Sequence, residues 1–80
     1  MNISKAVAIR IKELLNLKKM TQYRLEQVSC LSHETLKSIM KGKAKGVNLK
    51  TLIIISEGLQ ITVSEFLNCD LFNYENLNID

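Results

Sequence analysis

Cysteine and histidine are the side chains that zinc sites use most, and this sequence contains two cysteines and one histidine. Cys30 and His33 form a C-x-x-H pair, which is half of the ligand set of a zinc site. The other half would need a second closely spaced pair, and Cys69 stands alone. We therefore expect no metal site, and we expect both cysteines to be free thiols in a reducing compartment.

Catalytic chemistry has equally few candidates. His33 would have to be the base of any Ser-His-Asp arrangement, and no residue pattern nearby would orient it. The three glycines, Gly42, Gly46 and Gly58, do not form a phosphate-binding loop. We therefore expect neither an enzyme nor a bound cofactor.

The charged residues are divided unevenly along the chain. Residues 1–50 hold all eleven Lys and Arg against three Glu, a net charge of +8. Residues 51–80 hold five acidic residues and no basic one, a net charge of −5. Lys41, Lys43 and Lys45 alternate within one short segment beside Gly42 and Gly46. This division predicts a basic functional face and a separate acidic segment.

Helical periodicity predicts the elements that hold these side chains, and 80 residues are enough for one small domain. Gly42 is expected to end the third helix in a left-handed conformation. Five helices are expected, with N-caps at Ser4, Thr21, Ser32, Asn48 and Thr62, the last in a capping box with Glu65. The apolar positions on the helical faces are Val7, Ile11, Leu14, Leu15, Leu25, Val28, Leu31, Leu36, Ile39, Leu49, Leu52, Ile55 and Leu59.

The segment from Gln22 to Met40 is the most informative part of the sequence. It comprises two short predicted helices joined by three residues, Ser29-Cys30-Leu31. Helices this close in sequence cannot bury their apolar faces side by side, so we expect them to cross steeply. The pattern predicts a helix-turn-helix, in which the second helix projects outward from the domain.

Residues 7–67 resemble the lambda-repressor/Cro-type helix-turn-helix family, also called the XRE family. The resemblance implies an all-α fold, namely a compact five-helix lambda-repressor-like DNA-binding domain over residues 1–68 with a short C-terminal extension over residues 69–80. The matching residues are Met20-Thr21-Gln22, Leu25, Leu31-Ser32, Leu36, Ile39, Lys41-Gly42-Lys43, Leu49-Lys50-Thr51-Leu52 and Ile61-Thr62-Val63-Ser64-Glu65-Phe66-Leu67.

The resemblance also implies which side chains contact duplex DNA. The predicted contacts to base edges in the major groove are His33, Glu34, Thr35, Lys37 and Ser38. The predicted contacts to phosphates are Thr21, Gln22, Lys41, Lys43 and Lys45. The alternatives are that Glu34 interacts favourably with the helix dipole, and that His33 and the lysines are simply solvated. Tyr23 is the single aromatic residue in the basic half, which favours duplex DNA over base-stacked single strands.

The sequence departs from the family pattern at several positions. Glu26 stands where a small residue, commonly Ala, is usual, and Cys30 stands where Gly is common. Leu15 and Met40 occupy positions at which many members pair Arg with Glu, so we expect an apolar contact there. Gly46 replaces a Pro that is common in the loop.

The fourth helix and the tail carry more apolar residues than the core of one monomer needs. Ile53 lies at the edge of the fourth helix's apolar face and Ile54 points away from it, and the tail adds Phe72, Tyr74, Leu77 and Ile79. We expect this set to form a homodimer interface. The alternative is a tail that folds back on its own monomer or stays partly disordered, and strand, helical turn and extended arm all remain open for its conformation.

These observations predict a sequence-specific, double-stranded DNA-binding transcriptional regulator, a repressor that acts as a homodimer through a major-groove recognition helix. The alternative is an antitoxin-like or antagonist protein-interaction module with secondary DNA binding, whose acidic and apolar tail binds a partner protein. The sequence has no run of about 20 apolar residues. The N-terminal residues lack the features of a signal peptide. We therefore expect no membrane partner and a cytoplasmic location.

Overall fold

Five α-helices make up most of this chain. The computed structural model describes residues 1–44 and 46–78, so that Lys45 and Ile79, two residues with predicted contacts, lie outside the described residues together with Asp80. The described residues contain no β-strand, and the predicted all-α fold with five helices is confirmed. The helices are α1 (Ile3–Leu17), α2 (Gln22–Ser29), α3 (His33–Met40), α4 (Leu49–Gly58) and α5 (Val63–Leu67).

Side-chain caps begin α2 to α5 at the predicted residues. Thr21, Ser32, Asn48 and Thr62 each accept a hydrogen bond from the backbone N–H three residues further along. The capping box at Thr62 is also confirmed, because the Glu65 carboxylate accepts from the Thr62 backbone N–H at 3.2 Å. These contacts satisfy backbone N–H groups that a helix cannot pair internally.

The predicted cap of α1 is wrong. Asn2 caps this helix, with its Oδ1 accepting from the Lys5 backbone N–H at 2.8 Å. Asn and Ser are about equally good caps, so two candidates two residues apart could not be ranked from the sequence. The Ser4 hydroxyl instead donates to the Ala44 carbonyl oxygen, which ties α1 to the loop after α3.

The core lies at the centre of the five helices. Every helix contributes at least one side chain with no exposed surface, and each such burial stabilises the fold by about 1.5–3 kcal/mol. These side chains include Ile11, Leu25, Leu36, Ile55 and Phe66. Leu15 and Met40, the apolar replacements of the polar pair common in the family, are both buried in the same core.

Two apolar residues of the predicted helical faces lie outside this core. Leu49 is 61% exposed and Val28 is 40% exposed. Leu49 is the first residue of α4, and the first buried residue of that helix is Leu52, one turn later. The apolar stripe on α4 therefore extends beyond the end of the core that it faces.

The tail folds into two short 3₁₀ helices, Asp70–Phe72 and Tyr74–Asn76. The first packs mainly against α1, and the ring of Phe72 lies 6.0 Å from that of Phe66, centre to centre. The terminal amine of Met1 donates to the Asn76 carbonyl oxygen at 3.1 Å. Of the three conformations open from the sequence, the described residues of the tail adopt helical turns held against their own chain.

Candidate nucleic-acid interface

The turn between α2 and α3 is made by three backbone features. α2 ends at Ser29, and the next residue, Cys30, has a left-handed backbone with φ of 58°. Ser32 then begins α3, accepting from the Thr35 backbone N–H at 3.1 Å. Leu31 lies between them and packs its half-buried side chain against the core. Two capped helices joined by this short turn form the predicted helix-turn-helix.

The two faces of α3 differ completely in burial. Leu36, Ile39 and Met40 face the core. The five residues with predicted base contacts are all exposed, so they share the solvent face of α3: His33, Glu34, Thr35, Lys37 and Ser38. The geometry therefore presents one continuous polar surface of the helix for an external partner.

The lysine-bearing loop lies beside this surface. An open groove is lined by Glu34, Lys37, Ser38, Lys41 and Lys43, so two of the predicted phosphate contacts adjoin three of the predicted base contacts. The loop is held by backbone hydrogen bonds, among them one from the Lys43 N–H to the Ser38 carbonyl oxygen at 3.2 Å. It is also held by the Ser4 contact to α1 described above.

A second groove lies next to the first and shares Glu34 and Ser38 with it. Its volume is about 380 Å³, and Thr35 and Ser38 line it together with Val47, Asn48 and Thr51. Thr35 and Ser38 therefore face the space between α3 and the first turn of α4.

The remaining predicted phosphate contacts lie at the start of α2. Thr21 is exposed, and its Oγ1 accepts from the Arg24 backbone N–H at 3.0 Å, which leaves the hydroxyl hydrogen available to an external acceptor. The Gln22 side-chain amide instead donates to the Glu26 carboxylate at 3.3 Å. The N-terminal N–H groups of α2 provide further donors at this position.

Comparison with known families identifies the fold. A model of the Cro/C1-type HTH DNA-binding domain matches residues 10–71, from within α1 to the first 3₁₀ helix of the tail. The chain belongs to this DNA-binding family. The family is non-catalytic, and DNA is the partner that its members bind. No curated protein and no solved structure matches the chain significantly.

A Cro/C1-type domain with Glu26 at the close approach of α2 and α3 has an additional polar contact. Glu26 Oε2 lies 2.9 Å from His33 Nδ1 and 3.3 Å from Gln22 Nε2. The Glu26 side chain is 12% exposed, whereas that of His33 is 61% exposed. Reasoning from the sequence did not assign Glu26 to the site. The signal that could have identified it is the acidic residue at a position where the family usually has a small one.

The Cys30–His33 pair is not part of a metal-binding cluster in the described residues. His33 contacts Glu26, and the Cys30 Sγ lies 4.0 Å from the Gln27 carbonyl oxygen. Among residues 1–44 and 46–78, no three His, Cys, Asp or Glu side chains are grouped closely enough to hold a metal ion. None of the helices in that part of the chain is both long and apolar enough to cross a membrane.

The residues of the predicted dimer interface lie in different environments. Ile53 is 48% exposed and Tyr74 is 81% exposed. Ile54 and Leu77 are half-buried. Phe72 is also half-buried, and it packs against Phe66 within the monomer.

Proposed function

We propose that this chain is a transcriptional repressor that binds a palindromic duplex-DNA site in the cytoplasm as a homodimer. The observation that carries this proposal is the groove in which the exposed side chains of α3 adjoin the lysines of the following loop. A DNA duplex presents base edges and phosphates within the same few ångströms, so a partner of this kind matches both sets of side chains at once.

In this proposal, α3 reads base edges in the major groove. Glu34 accepts from the N4 amino group of cytosine, and Lys37 donates to the O6 and N7 atoms of guanine. His33, Thr35 and Ser38 serve the neighbouring positions, since hydroxyl and imidazole groups pair with several bases. All five side chains are exposed, which supports this assignment.

Phosphate contacts on two sides of α3 position this helix in the major groove. Lys41, Lys43 and Lys45 neutralise phosphates on one side, while Thr21 and Gln22 at the start of α2 grip the backbone on the other. Each lysine that neutralises a phosphate releases a counterion, so the affinity falls with salt concentration in proportion to the number of such contacts.

The homodimer supplies the two-fold symmetry of a palindromic site. Its proposed interface contains Ile53, Ile54, Phe72, Tyr74 and Leu77. The exposed fractions of Ile53 and Tyr74 support this assignment, because large apolar side chains gain from being covered. Repression then results from occlusion of RNA polymerase at the bound site.

In-vitro selection from random duplex DNA, followed by binding titrations at several salt concentrations, tests the DNA-binding part of the proposal. Enrichment of a symmetric site is expected. Lys43→Ala should make the slope of log affinity against log salt shallower by about 0.9 per subunit on every sequence. Lys12→Ala is the matched control, because Lys12 is an exposed lysine on α1 outside both grooves, and its slope should be unchanged. A flat salt slope without enrichment would instead favour a protein-interaction module.

Sedimentation equilibrium of the full chain tests the homodimer. We expect a dimer mass at micromolar concentrations and a shift toward monomer in Ile53→Glu. Leu17→Glu is the matched control, because Leu17 is 73% exposed at the end of α1 and outside the proposed interface. A monomer mass for the unmodified chain, or equal effects of the two substitutions, contradicts the proposed interface.

A further inference from the structure

The contact between Glu26 and His33 joins the two helices of the helix-turn-helix through side chains. His33 is the first residue of α3, and its Nδ1 atom lies 2.9 Å from Glu26 Oε2 on α2. The Gln22 amide, one helical turn earlier on α2, donates to the same oxygen at 3.3 Å. The carboxylate is therefore held from its own helix and is largely shielded from solvent.

An ionised carboxylate accepts hydrogen bonds and donates none. The Nδ1 atom of His33, which contacts the Glu26 carboxylate, must therefore carry the hydrogen. This requirement selects the Nδ1–H form of the neutral ring. In that form Nε2 has a free lone pair and is an acceptor. The His33 side chain is 61% exposed, so its second nitrogen remains accessible to a partner of α3.

We propose that Glu26 is a positioning residue that fixes the tautomer of His33 and thereby sets the base preference of α3 at one position. With Nε2 as an acceptor, His33 pairs with the amino groups of adenine N6 or cytosine N4 in the major groove. With Nε2–H as a donor, the same ring would pair with guanine, with adenine N7 or with thymine O4, so cytosine is the base that requires the acceptor form. This inference rests on the proposed function, because it assumes that His33 contacts a base.

Ring nitrogen NMR on the free protein tests the first step without DNA. His33 is the single histidine of the chain, so its ¹⁵N signals need no assignment by mutation. At about pH 8.5 the unmodified chain should show predominantly the Nδ1–H tautomer. Glu26→Ala should shift the ring toward Nε2–H, and alanine is commonly found at this position in the family, so the variant is expected to fold. Predominant Nε2–H in the unmodified chain, or a ring still protonated on both nitrogens, overturns the proposal.

Glu57→Ala is the matched control for the loss of a carboxylate. Glu57 is exposed on α4 and makes no side-chain hydrogen bond or ion pair with the described residues. Its removal changes the net charge by the same amount as Glu26→Ala and should leave the tautomer of His33 unchanged. An equal shift in both variants would trace the effect to overall charge and overturn the proposal.

Site selection with the same variants tests the second step. His33→Ala first identifies the base pair that His33 reads, as the position whose preference disappears. At that position the unmodified chain should prefer adenine or cytosine on the contacted strand. Glu26→Ala should weaken this preference by about tenfold, within the discrimination expected of one good base contact. The quantity that tests the proposal is the ratio of affinities for sites that differ at this base pair, because loss of an acidic group near DNA raises the affinity for every sequence alike.

The two proposals fail in different ways. If the unmodified chain enriches no site, the proposed function fails and the base-preference step fails with it. If a site is enriched but Glu26→Ala keeps the full preference at the His33 position, the proposed function stands and the role of Glu26 is refuted.

Discussion

Gly58, the last residue of α4, lies where this helix approaches α2. A Cβ atom at this position would lie 3.0 Å from Leu25 Cδ1, 3.3 Å from Ser29 Cβ and 3.4 Å from Val28 Cγ2. Leu25 has no exposed surface and belongs to the core beneath the helix-turn-helix, so it has little freedom to move aside. We predict that Gly58→Ala destabilises the protein, although Gly→Ala normally stabilises a helix.

The direction of this change in stability follows from two opposing contributions. Replacing glycine by alanine in a helix gains about 0.5–1 kcal/mol, and the gain is at the low end here because Gly58 is the last helical residue. Adding a methyl group to a filled core costs about 1–3 kcal/mol. The net loss in the free energy of unfolding is therefore about 1 kcal/mol, which lowers Tm by about 4–8 °C in a domain of this size.

Urea denaturation followed by circular dichroism measures this loss. The matched comparison is the same substitution in a Leu25→Ala background. That change alone costs about 2–5 kcal/mol, and it removes the atom closest to the new methyl group. In this background Gly58→Ala should be neutral or stabilising, so the double-mutant cycle should show a coupling of about 1 kcal/mol or more. A gain in stability from Gly58→Ala in the unmodified chain would refute the reasoning, because it would mean that α2 and α4 are not in tight contact.

Three further substitutions test contacts around the site and the tail, all by urea denaturation. Cys30→Gly should raise the free energy of unfolding by about 0.5 kcal/mol, because glycine adopts the left-handed backbone without strain and this gain outweighs the added freedom of the unfolded chain. A loss of stability would show that packing of the Cys30 side chain stabilises the fold. Arg10→Met should cost about 2 kcal/mol, because the guanidinium donates to two carbonyl oxygens at the end of α5 at 2.7 and 2.9 Å; an unchanged midpoint would contradict that contact. Phe72→Ala should lower the free energy of unfolding by about 2 kcal/mol, whereas Tyr74→Ala, at an exposed residue, should lower it by less than about 0.5 kcal/mol. Equal effects of the two substitutions would show that Phe72 is not packed on Phe66.

Helix starts were predictable because the chemistry that defines them is local. Thr21, Ser32, Asn48 and Thr62 each cap a backbone N–H only three residues away, within reach of a pattern in the sequence. The error at Ser4 arises because one contact at this helix start is not local. Asn2 and Ser4 are both competent caps, and the choice between them depended on a partner for the Ser4 hydroxyl 40 residues away at Ala44.

The polar face of α3 was equally predictable, because its alternation with Leu36 and Ile39 follows the helical period. Its relation to the lysine loop was only implied by resemblance to a family. The structure brings Glu34, Lys37 and Ser38 to one groove with Lys41 and Lys43, which depends on how the chain turns after Met40.

The sequence by itself determined the five helices of this protein, the caps of α2 to α5 and the left-handed turn at Gly42, because each depends on residues within about four positions of one another. Only the tertiary structure decided three contacts: Glu26 with His33, the tail with α1, and Gly58 with Leu25. These contacts depend on the angle and distance at which packed helices meet. That geometry is set by the shape of the whole core, in which every helix buries at least one side chain completely.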